Sequence, residues 1–265
     1  MDRVAIFAAL RWECVPVVRS LRQVRRLRVG DFQVWLAPLP QGEVWVVKTG
    51  IGIDQAAAAA QALTQSGQFS LFLSTGCAGA LAPDLQPGDL VIADAIVGEA
   101  PSGAVQTDAE HSRRLRGIAA AAALRSCAGS ILCSRTMLAT SSTKRAAATQ
   151  HGSLAVEMEG GALASAAAAS QIPFAAVRAV LDTAETELRH AGKFMNPQTG
   201  GVKPVALAAY LAKHPGAIGD LLELQKMMRA AQGSLQQFFT AWFSSMYDGS
   251  LPASDADLKQ SSRQN

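Results

Sequence analysis

Four acidic residues lie shortly after apolar stretches of the sequence, at positions where a carboxylate could do chemistry. Glu13 follows VAIFAAL, Glu157 and Glu159 follow LAV, and Asp182 follows FAAVRAVL. A glycine-containing segment, STGCAGAL, begins at the end of another apolar stretch, residues 71–75. If each stretch is a strand, these residues lie at strand ends, where the loops of an open α/β sheet converge on ligands. The pattern predicts one site in which carboxylates serve as acid and base.

Each of these features also has a purely structural interpretation. Glu13, and either Glu157 or Glu159, could be an acid in the first turn of a helix, which the helix dipole favours. Asp182 could cap a helix or form a turn, and TGCAGA could be only a tight turn. The functional interpretation rests on all of them falling at equivalent places in one fold. For Glu157 the sequence indicates no ligand, so capping or pairing within the protein is expected.

Alternating apolar and alanine-rich segments predict the elements that position these side chains. Their order indicates the α/β class, as a single domain with a central mixed β-sheet flanked by helices and a helical C-terminal region. The predicted strands are Val4–Ala9, Phe32–Pro38, Val44–Thr49, Leu71–Thr75, Leu90–Ala95, Ser130–Cys133, Leu154–Val156 and Phe174–Val180. The predicted helices are Glu13–Leu21, Ile53–Ser66, Asp108–Leu124, Thr143–Gln150 and Gly161–Ser170. In TDAE, Thr107 and Glu110 fit a capping box with Thr107 as N-cap.

The sequence changes character after about Asp182. Residues 1–183 are predicted to form the α/β core, 184–247 a loop and C-terminal helices packing on the same domain, and 248–265 a disordered tail. The predicted C-terminal helices are Val202–Ala212, Ile218–Ala231 and Ser234–Met246. Apolar residues at near-helical spacing in LLELQKMMRAAQGSLQQFFTAWF indicate that this region buries one face in the core.

Composition excludes several classes of protein. The net charge of +3 over 265 residues is too small to indicate a nucleic-acid partner, and no cofactor is expected. The basic run 19–30 is predicted to be a solvated helix end leading into a strand, the alternative being contact with phosphate or anionic lipid. Four cysteines without a CxxC pair and four scattered histidines favour neither a metal site nor disulfides. The chain has no signal peptide and no apolar run of about 18 residues, so a cytoplasmic protein is expected.

Three segments together resemble the nucleoside phosphorylase and nucleosidase family. They are STGCAGALAPDLQPGDLVIAD, AVEMEGGALA and AVRAVLD, and the resemblance covers roughly residues 3–183. The methylthioadenosine/S-adenosylhomocysteine nucleosidase branch is the most similar, also in the spacing from TGIGID to the glycine-containing segment. The resemblance implies that family's fold, a homodimer or higher oligomer, and hydrolysis of an adenosine-type nucleoside with a modified 5′ group to release adenine.

The resemblance also implies roles for individual residues. Glu13 would activate the attacking water and Asp182 would protonate the purine. Glu159 would hold the ribose hydroxyls, with Met158 under the sugar and Arg178 near the site. Cleavage of an N-glycosidic bond places positive charge on the sugar and negative charge on the base, so one acid must be protonated while another is ionised. Burial, which raises a carboxyl pKa by up to about 3–5 units, could keep Asp182 protonated.

Other positions match the substrate-binding part of the family pattern. Leu10 and Ile51 would surround the ribose and its 5′ group, and Cys77, Ala78 and Gly79 would bind substrate from the glycine-containing segment. Cys77 stands where the nucleosidase branch usually has serine.

Some positions depart from the family pattern. Ser74 stands where the phosphorylases have a phosphate-binding arginine, and AALRWE replaces their glycine-rich loop, leaving Arg11 as the nearby cation. Water is therefore favoured over phosphate as nucleophile, with a phosphate-dependent phosphorylase as the alternative. No aromatic residue that could stack on adenine is present in the segment SRTMLATSSTK. Leu181 stands where the family pattern has a small polar residue.

Two further functions remain open. The apolar C-terminal helices could cover a long apolar 5′ group, as in family members that release adenine from adenosylhopane during hopanoid synthesis. The chain could instead be a catalytically silent purine-binding sensor, although a binder needs neither an acid nor a base.

Overall fold

A mixed ten-stranded sheet runs through the part of the chain that the computed structural model describes, residues 2–99, 103–187 and 217–248. Its strands are β1 Asp2–Ala8, β2 Arg25–Val29, β3 Phe32–Leu39, β4 Gly42–Lys48, β5 Leu71–Ala80, β6 Leu90–Gly98, β7 Val105–Gln106, β8 Ser126–Cys133, β9 Ala155–Glu157 and β10 Phe174–Asp182. The helices are α1 Arg11–Arg19, α2 Ile53–Ser66, α3 Ala109–Ala121, α4 Ser141–His151, α5 Gly160–Ala169 and α6 Ala217–Tyr247. The predicted α/β class with a central mixed sheet and a helical C-terminal region is confirmed.

β5 is the strand around which the sheet is organised. It pairs in parallel with β1 and β10 and antiparallel with β9. Because β10 also pairs with β6, and β8 joins β6 to β9, these strands close into a ring. β4, β3 and β2 extend the sheet from β1 on the other side.

Both faces of the sheet are covered by helices, so its central strands are buried on both sides. Along β1, Ala5 and Phe7 belong to one core cluster, whereas Ile6 and Ala8 belong to the other. The first cluster contains the alanine-rich faces of α2 and α5, and the second contains apolar residues of α1, α3 and α6. Small side chains allow α2 and α5 to lie close together, which explains the run GGALASAAAAS.

The glycine-containing segment is strand rather than turn. β5 continues from Leu71 to Ala80, five residues beyond the predicted end at Thr75. Residues 76–79 pair with β10, and residues 79–80 pair with β9, so the backbone hydrogen bonds are satisfied by two neighbours. The interpretation of TGCAGA as a turn was therefore wrong. Short strands β2 and β7 were also not predicted.

The N-cap of α3 is Asp108 and not Thr107. The Asp108 Oδ1 atom accepts a hydrogen bond from the His111 N–H at 2.9 Å. The Thr107 hydroxyl instead donates to the Ala93 carbonyl of β6 at 2.7 Å. The predicted capping box is wrong because the Thr107 hydroxyl binds the edge of the sheet instead of capping the helix. The basic run begins at the end of α1, at Arg19, as predicted, but its residues 25–29 themselves form strand β2, which was not predicted.

α6 is one continuous helix, whereas the sequence predicted two helices separated near residue 233. A glycine in a helix interior costs only about 1 kcal/mol, and the buried aromatic residues of α6 outweigh that cost. These are Phe238, Phe239, Trp242 and Phe243. The helix that was predicted at 202–212, most of the loop predicted from 184 and nearly all of the tail predicted at 248–265 lie outside the described residues.

α6 connects parts of the chain that are far apart in sequence. The side-chain amide of Gln232 donates to the Trp12 carbonyl of α1 at 3.3 Å, and the Ser20 and Thr240 hydroxyls lie 3.0 Å apart. The Tyr247 hydroxyl donates to the Pro38 carbonyl of β3 at 3.3 Å. No helix in the described ranges is long and apolar enough to cross a membrane.

Candidate active site

The acidic and basic side chains of the candidate site lie along the C-terminal half of β5. In the pairing of β10 with β5, Arg178 lies opposite Gly76 and Asp182 lies opposite Gly79. A bulge between Val180 and Asp182 inserts Leu181 and shifts this register. Bulges re-aim side chains and are common beside active sites, and here the bulge brings Asp182 to β5.

Glu13 lies in the first turn of α1 and also reaches β5. Its Oε2 atom accepts a hydrogen bond from the Leu10 N–H at 2.9 Å, and its Oε1 atom accepts one from the Cys77 N–H at 2.8 Å. Burial raises the pKa of Glu13, while these N–H groups and the nearby Arg178 charge partly oppose the shift. The structural and functional interpretations of Glu13 are therefore compatible.

Gly76 allows Glu13 and Arg178 to approach the strand. Its φ of +129° lies in the region that favours glycine. A Cβ atom at this position would lie 2.7 Å from Glu13 Oε1 and 2.9 Å from Arg178 Nη1. The glycine is required by this close approach and not by a turn.

Asp182 is buried and paired with a residue that the sequence analysis did not single out. The Lys144 ammonium, from α4, donates to Asp182 Oδ2, to the Thr183 carbonyl at 2.6 Å and to the Thr186 carbonyl at 3.2 Å. Burial raises the pKa of Asp182, and the Lys144 charge opposes the shift without cancelling it. STKRAAATQ has the composition of a solvated helix face, so no signal in the sequence indicates that Lys144 is buried.

Glu13 and Asp182 lie against neighbouring parts of the same strand. Glu13 binds the backbone of Cys77, and both carboxylate oxygens of Asp182 are 3.5 Å from the position of a Cβ on Gly79. Two residues of a strand span roughly 7 Å. The two carboxylates therefore contact positions of β5 that are roughly 7 Å apart.

The paired glutamates have different environments. Glu157 accepts hydrogen bonds from Arg178 and from the N–H groups of Glu159 and Gly160 at the start of α5. The prediction that it caps or pairs within the protein is confirmed. Among residues 2–99, 103–187 and 217–248, the Glu159 carboxylate has one hydrogen-bond partner, the Gly52 N–H at the start of α2, which donates to its Oε1 atom at 2.8 Å. Burial, together with the Glu157 charge, raises the pKa of Glu159 well above its usual range.

Arg178 is the cation beneath these acids. It is 2% exposed, and its guanidinium donates to the Thr75 carbonyl, the Ser74 hydroxyl at 2.7 Å and Glu157. Its charge also acts on Glu13 and Glu159. It stabilises a group of acids that would otherwise repel one another.

The remaining predicted positions surround the same region. Leu10 precedes α1 and is buried, as is Ala78 on β5, whereas Ile51, Met158, Cys77 and Gly79 are half-buried. Burial raises the pKa of the Cys77 thiol, so it is neutral at physiological pH. In residues 2–99, 103–187 and 217–248, no three His, Cys, Asp or Glu side chains cluster as ligands of a metal ion would.

Replacing Glu159 with glutamine is expected to stabilise the protein without substrate as the pH rises above 4.5, the ordinary pKa of a glutamate. A carboxyl whose pKa is raised on folding stabilises the native state when protonated, and that contribution is lost as the pH rises through the raised pKa. A pKa that is higher by one in the folded state changes the free energy of unfolding by about 1.4 kcal/mol. Glutamine keeps the acceptor for Gly52 and does not ionise, so the two proteins should have equal melting temperatures near pH 4 and diverge above it.

The matched control is Glu157→Gln, which removes the charged partner of Arg178 and should destabilise the protein across the same pH range. Melting temperatures of the three proteins are measured from pH 4 to 9. Parallel curves for wild type and Glu159→Gln would mean that folding does not raise the pKa of Glu159.

Comparisons with known proteins give the same fold. A family model described as Phosphorylase superfamily matches residues 3–199. The structure is similar to S-adenosylhomocysteine nucleosidase from Streptococcus pyogenes in complex with 5-methylthiotubericidin, with a TM-score of 0.69, 20% identity, and 90% of this chain and 96% of that chain covered.

Two further solved structures are similar. 5′-Methylthioadenosine/S-adenosylhomocysteine nucleosidase from Neisseria meningitidis in complex with methylthio-immucillin-A has a TM-score of 0.72 and 18% identity, with 92% of this chain and 100% of that chain covered. A futalosine hydrolase mutant of Helicobacter pylori strain 26695 has a TM-score of 0.63 and 19% identity, with 68% and 89% covered. At these identities the similarity concerns the fold.

Proposed function

Because the chain belongs to the phosphorylase superfamily, we propose that it is a nucleosidase that hydrolyses the N-glycosidic bond of an adenosine-type nucleoside and releases adenine. One observation carries the proposal. Glu13 and Asp182 lie against adjacent parts of β5, and Asp182 has an ammonium partner whereas Glu13 has backbone N–H partners. A reaction that takes a proton at one end of a bond and gives one at the other end needs two carboxyl groups in different environments.

The two carboxyl groups act on opposite ends of the bond. As the C1′–N9 bond breaks, its electron pair moves onto the purine, and Asp182 gives a proton to N7. Water attacks C1′ of the sugar cation, and Glu13 accepts the proton that this water loses. The negative charge of Glu13 also stabilises the cation before the attack. Each proton transfer of this type typically contributes about 10²–10⁴-fold to the rate.

Glu159 binds the sugar. A carboxylate can accept hydrogen bonds from two neighbouring hydroxyl groups. Within the part of the chain that the structure describes, the Glu159 carboxylate accepts a hydrogen bond only from the Gly52 N–H. Met158 precedes Glu159 in sequence, Ile51 precedes Gly52, which binds the Glu159 carboxylate, and Leu10 precedes the helix of Glu13. These apolar side chains enclose the ribose and its 5′ group. Glu159 is buried because its remaining hydrogen bonds are made by the substrate.

Water is the nucleophile. Ser74, at the position of the phosphate-binding arginine of phosphorylases, is buried and accepts a hydrogen bond from Arg178. Arg178 already donates hydrogen bonds to the Thr75 carbonyl and to Glu157, and Arg11 is exposed at the start of α1. Neither of these two arginines is therefore placed to hold phosphate in the site. The similar structures named as nucleosidases support the same choice.

Adenine release is expected to proceed at full rate in phosphate-free buffer. The reaction is followed by the liberated base, with the sugar product identified by mass. The control is the same assay with added phosphate, which should leave the rate and the product unchanged. Turnover that begins only with phosphate and gives ribose 1-phosphate would make the protein a phosphorylase.

The 5′ group is best found with a panel of nucleosides. Methylthioadenosine, S-adenosylhomocysteine, futalosine, inosine and an adenosine with a long apolar 5′ chain are compared by base release. Preference for the long chain would favour an adenosylhopane-type substrate. α6 gives that alternative no support, because its aromatic residues are buried against α1, α3 and the sheet. Binding without release for every compound would favour a sensor.

A further inference from the structure

Lys144 has an environment unlike that of any neighbour in α4. Its side chain is 1% exposed, whereas Thr143 and Arg145 on either side are exposed. Lysine is almost never fully buried unless it is paired. Its Nζ atom contacts three oxygens, namely Asp182 Oδ2 and the carbonyl oxygens of Thr183 and Thr186. Tertiary packing therefore directs this one cation of an otherwise solvated helix onto Asp182.

The contacts fix the number of protons in the pair at rest. Lysinium donates to all three oxygens, whereas neutral lysine donates to the two carbonyl oxygens and accepts a hydrogen bond from protonated Asp182. Both arrangements hold one transferable proton and keep Asp182 Oδ2 with Lys144. Oδ1 accepts no hydrogen bond from any residue in the described ranges, and it remains for a ligand.

In the lysinium–aspartate arrangement, Asp182 has no proton of its own to give to the purine. The ion pair, however, contains the same number of protons as neutral lysine beside a protonated aspartic acid. One proton can therefore leave the pair whichever of the two groups carries it at rest.

We propose that Lys144 and Asp182 donate the proton as one unit, in which Lys144 supplies to Asp182 the proton that Asp182 passes to the purine. The inference rests on the proposed nucleosidase function. When the C1′–N9 bond breaks, its electron pair goes to the purine, whose N7 gains the proton from Asp182. The proton on Lys144 Nζ moves to Asp182 in the same event or before it. Neutral Lys144 and ionised Asp182 result, and solvent returns the proton that Glu13 has released. Lys144 acts through Asp182 and is a positioning residue that also supplies the proton.

The other titratable groups near the pair do not replace this function. On β5, the Cys77 thiol is neutral because burial raises its pKa. Arg145 and Glu185 pair with each other at the surface. The carboxylate of Glu187 accepts hydrogen bonds from the start of α4, at Ser141. Within the described ranges, Lys144 is the cation that contacts Asp182.

The test is the pH dependence of single-turnover base release in wild type and Lys144→Met. In wild type two basic groups share the proton, whereas in Lys144→Met only the Asp182 carboxylate holds it. The alkaline limb of the profile should therefore move to lower pH by more than about one pH unit. The rate difference between Lys144→Met and wild type should shrink as the pH falls and Asp182 becomes protonated.

Two other roles for Lys144 give different results. If Lys144 only lowers the pKa of an acid that works in its protonated form, Lys144→Met should move the alkaline limb to higher pH. If Lys144 is only structural, the rate should fall without any change in the limb. Either result would overturn the inference. Melting curves and adenine binding of the variant establish that the site is folded.

Lys144→Arg is the second variant, for use beside Lys144→Met or in its place if that protein does not fold. Arginine keeps the charge but does not give up a proton in proteins. The inference expects a loss of more than about tenfold at pH 8, with the rate recovering as the pH falls and Asp182 becomes protonated. Full activity of Lys144→Arg at pH 8 would rule out proton supply by Lys144. Failure of wild type to release a base from any nucleoside would instead refute the proposed function.

Discussion

Replacing Asp182 with asparagine is expected to lower kcat by about 10²–10⁴-fold or more and to change substrate binding little. Asparagine is nearly isosteric with aspartate. Its carbonyl oxygen can accept the hydrogen bond that the Lys144 ammonium donates to Asp182. Its NH₂ group then points toward the purine and can donate a hydrogen bond to N7. It cannot transfer a proton when the base leaves, so only the interaction made in the transition state is lost. Single-turnover rates and equilibrium binding measure the two effects separately.

Asp108→Asn is the matched control, because Asp108 is the N-cap of α3, away from β5, and its loss should leave kcat unchanged. An Asp182→Asn variant with more than about a tenth of the wild-type kcat would mean that Asp182 is not the acid. From the sequence, Glu157 would then be the first substitute. The structure argues against that substitute, because both Glu157 oxygens already accept hydrogen bonds from Arg178 or from backbone N–H groups.

Glu13→Gln is expected to lower kcat by about 10²–10⁴-fold by removing the base that accepts the proton of water. The acidic limb of the rate profile, which comes from protonation of Glu13, should disappear. Glutamine keeps one acceptor for Cys77 but turns its NH₂ toward the Leu10 N–H, which costs about 1–3 kcal/mol of stability. Rates are therefore compared well below the melting temperature of the variant.

The control for Glu13→Gln is Glu110→Gln. Glu110 also lies in the first turn of a helix, but it is exposed and pairs with Arg114. Its substitution should change neither kcat nor the acidic limb. If the acidic limb survives in Glu13→Gln, another group titrates there, and Glu159 is the carboxyl to examine next.

The sequence predicted the acids of the site better than their surroundings. Apolar runs followed by carboxylates indicated Glu13 and Asp182 as residues at strand ends, because strand burial and strand length are encoded locally. The pairing partners are not local. The closeness of Asp182 to Gly79 depends on a bulge at Leu181, and the length of β5 depends on two strands that come from much later in the sequence.

Lys144 and α6 illustrate the same limit. The local sequence around Lys144 predicts exposure, and only the packing of α4 against residues 182–186 buries it. The sequence around Gly233 predicts a break, and only the burial of four aromatic side chains beyond it keeps α6 continuous. In both cases a long-range contact of several kcal/mol outweighs a local preference of about 1 kcal/mol.

The long reach of α6 has a consequence for synthesis on the ribosome. α1, which carries Glu13, has part of its apolar face covered by a helix that begins at Ala217 and ends at Tyr247. At about 5–20 residues per second, roughly 10–45 s separate the translation of the two helices. Throughout that interval Val17 and its apolar neighbours have no covering helix. Until α6 is made, loose folding or a chaperone must keep this apolar face from aggregating.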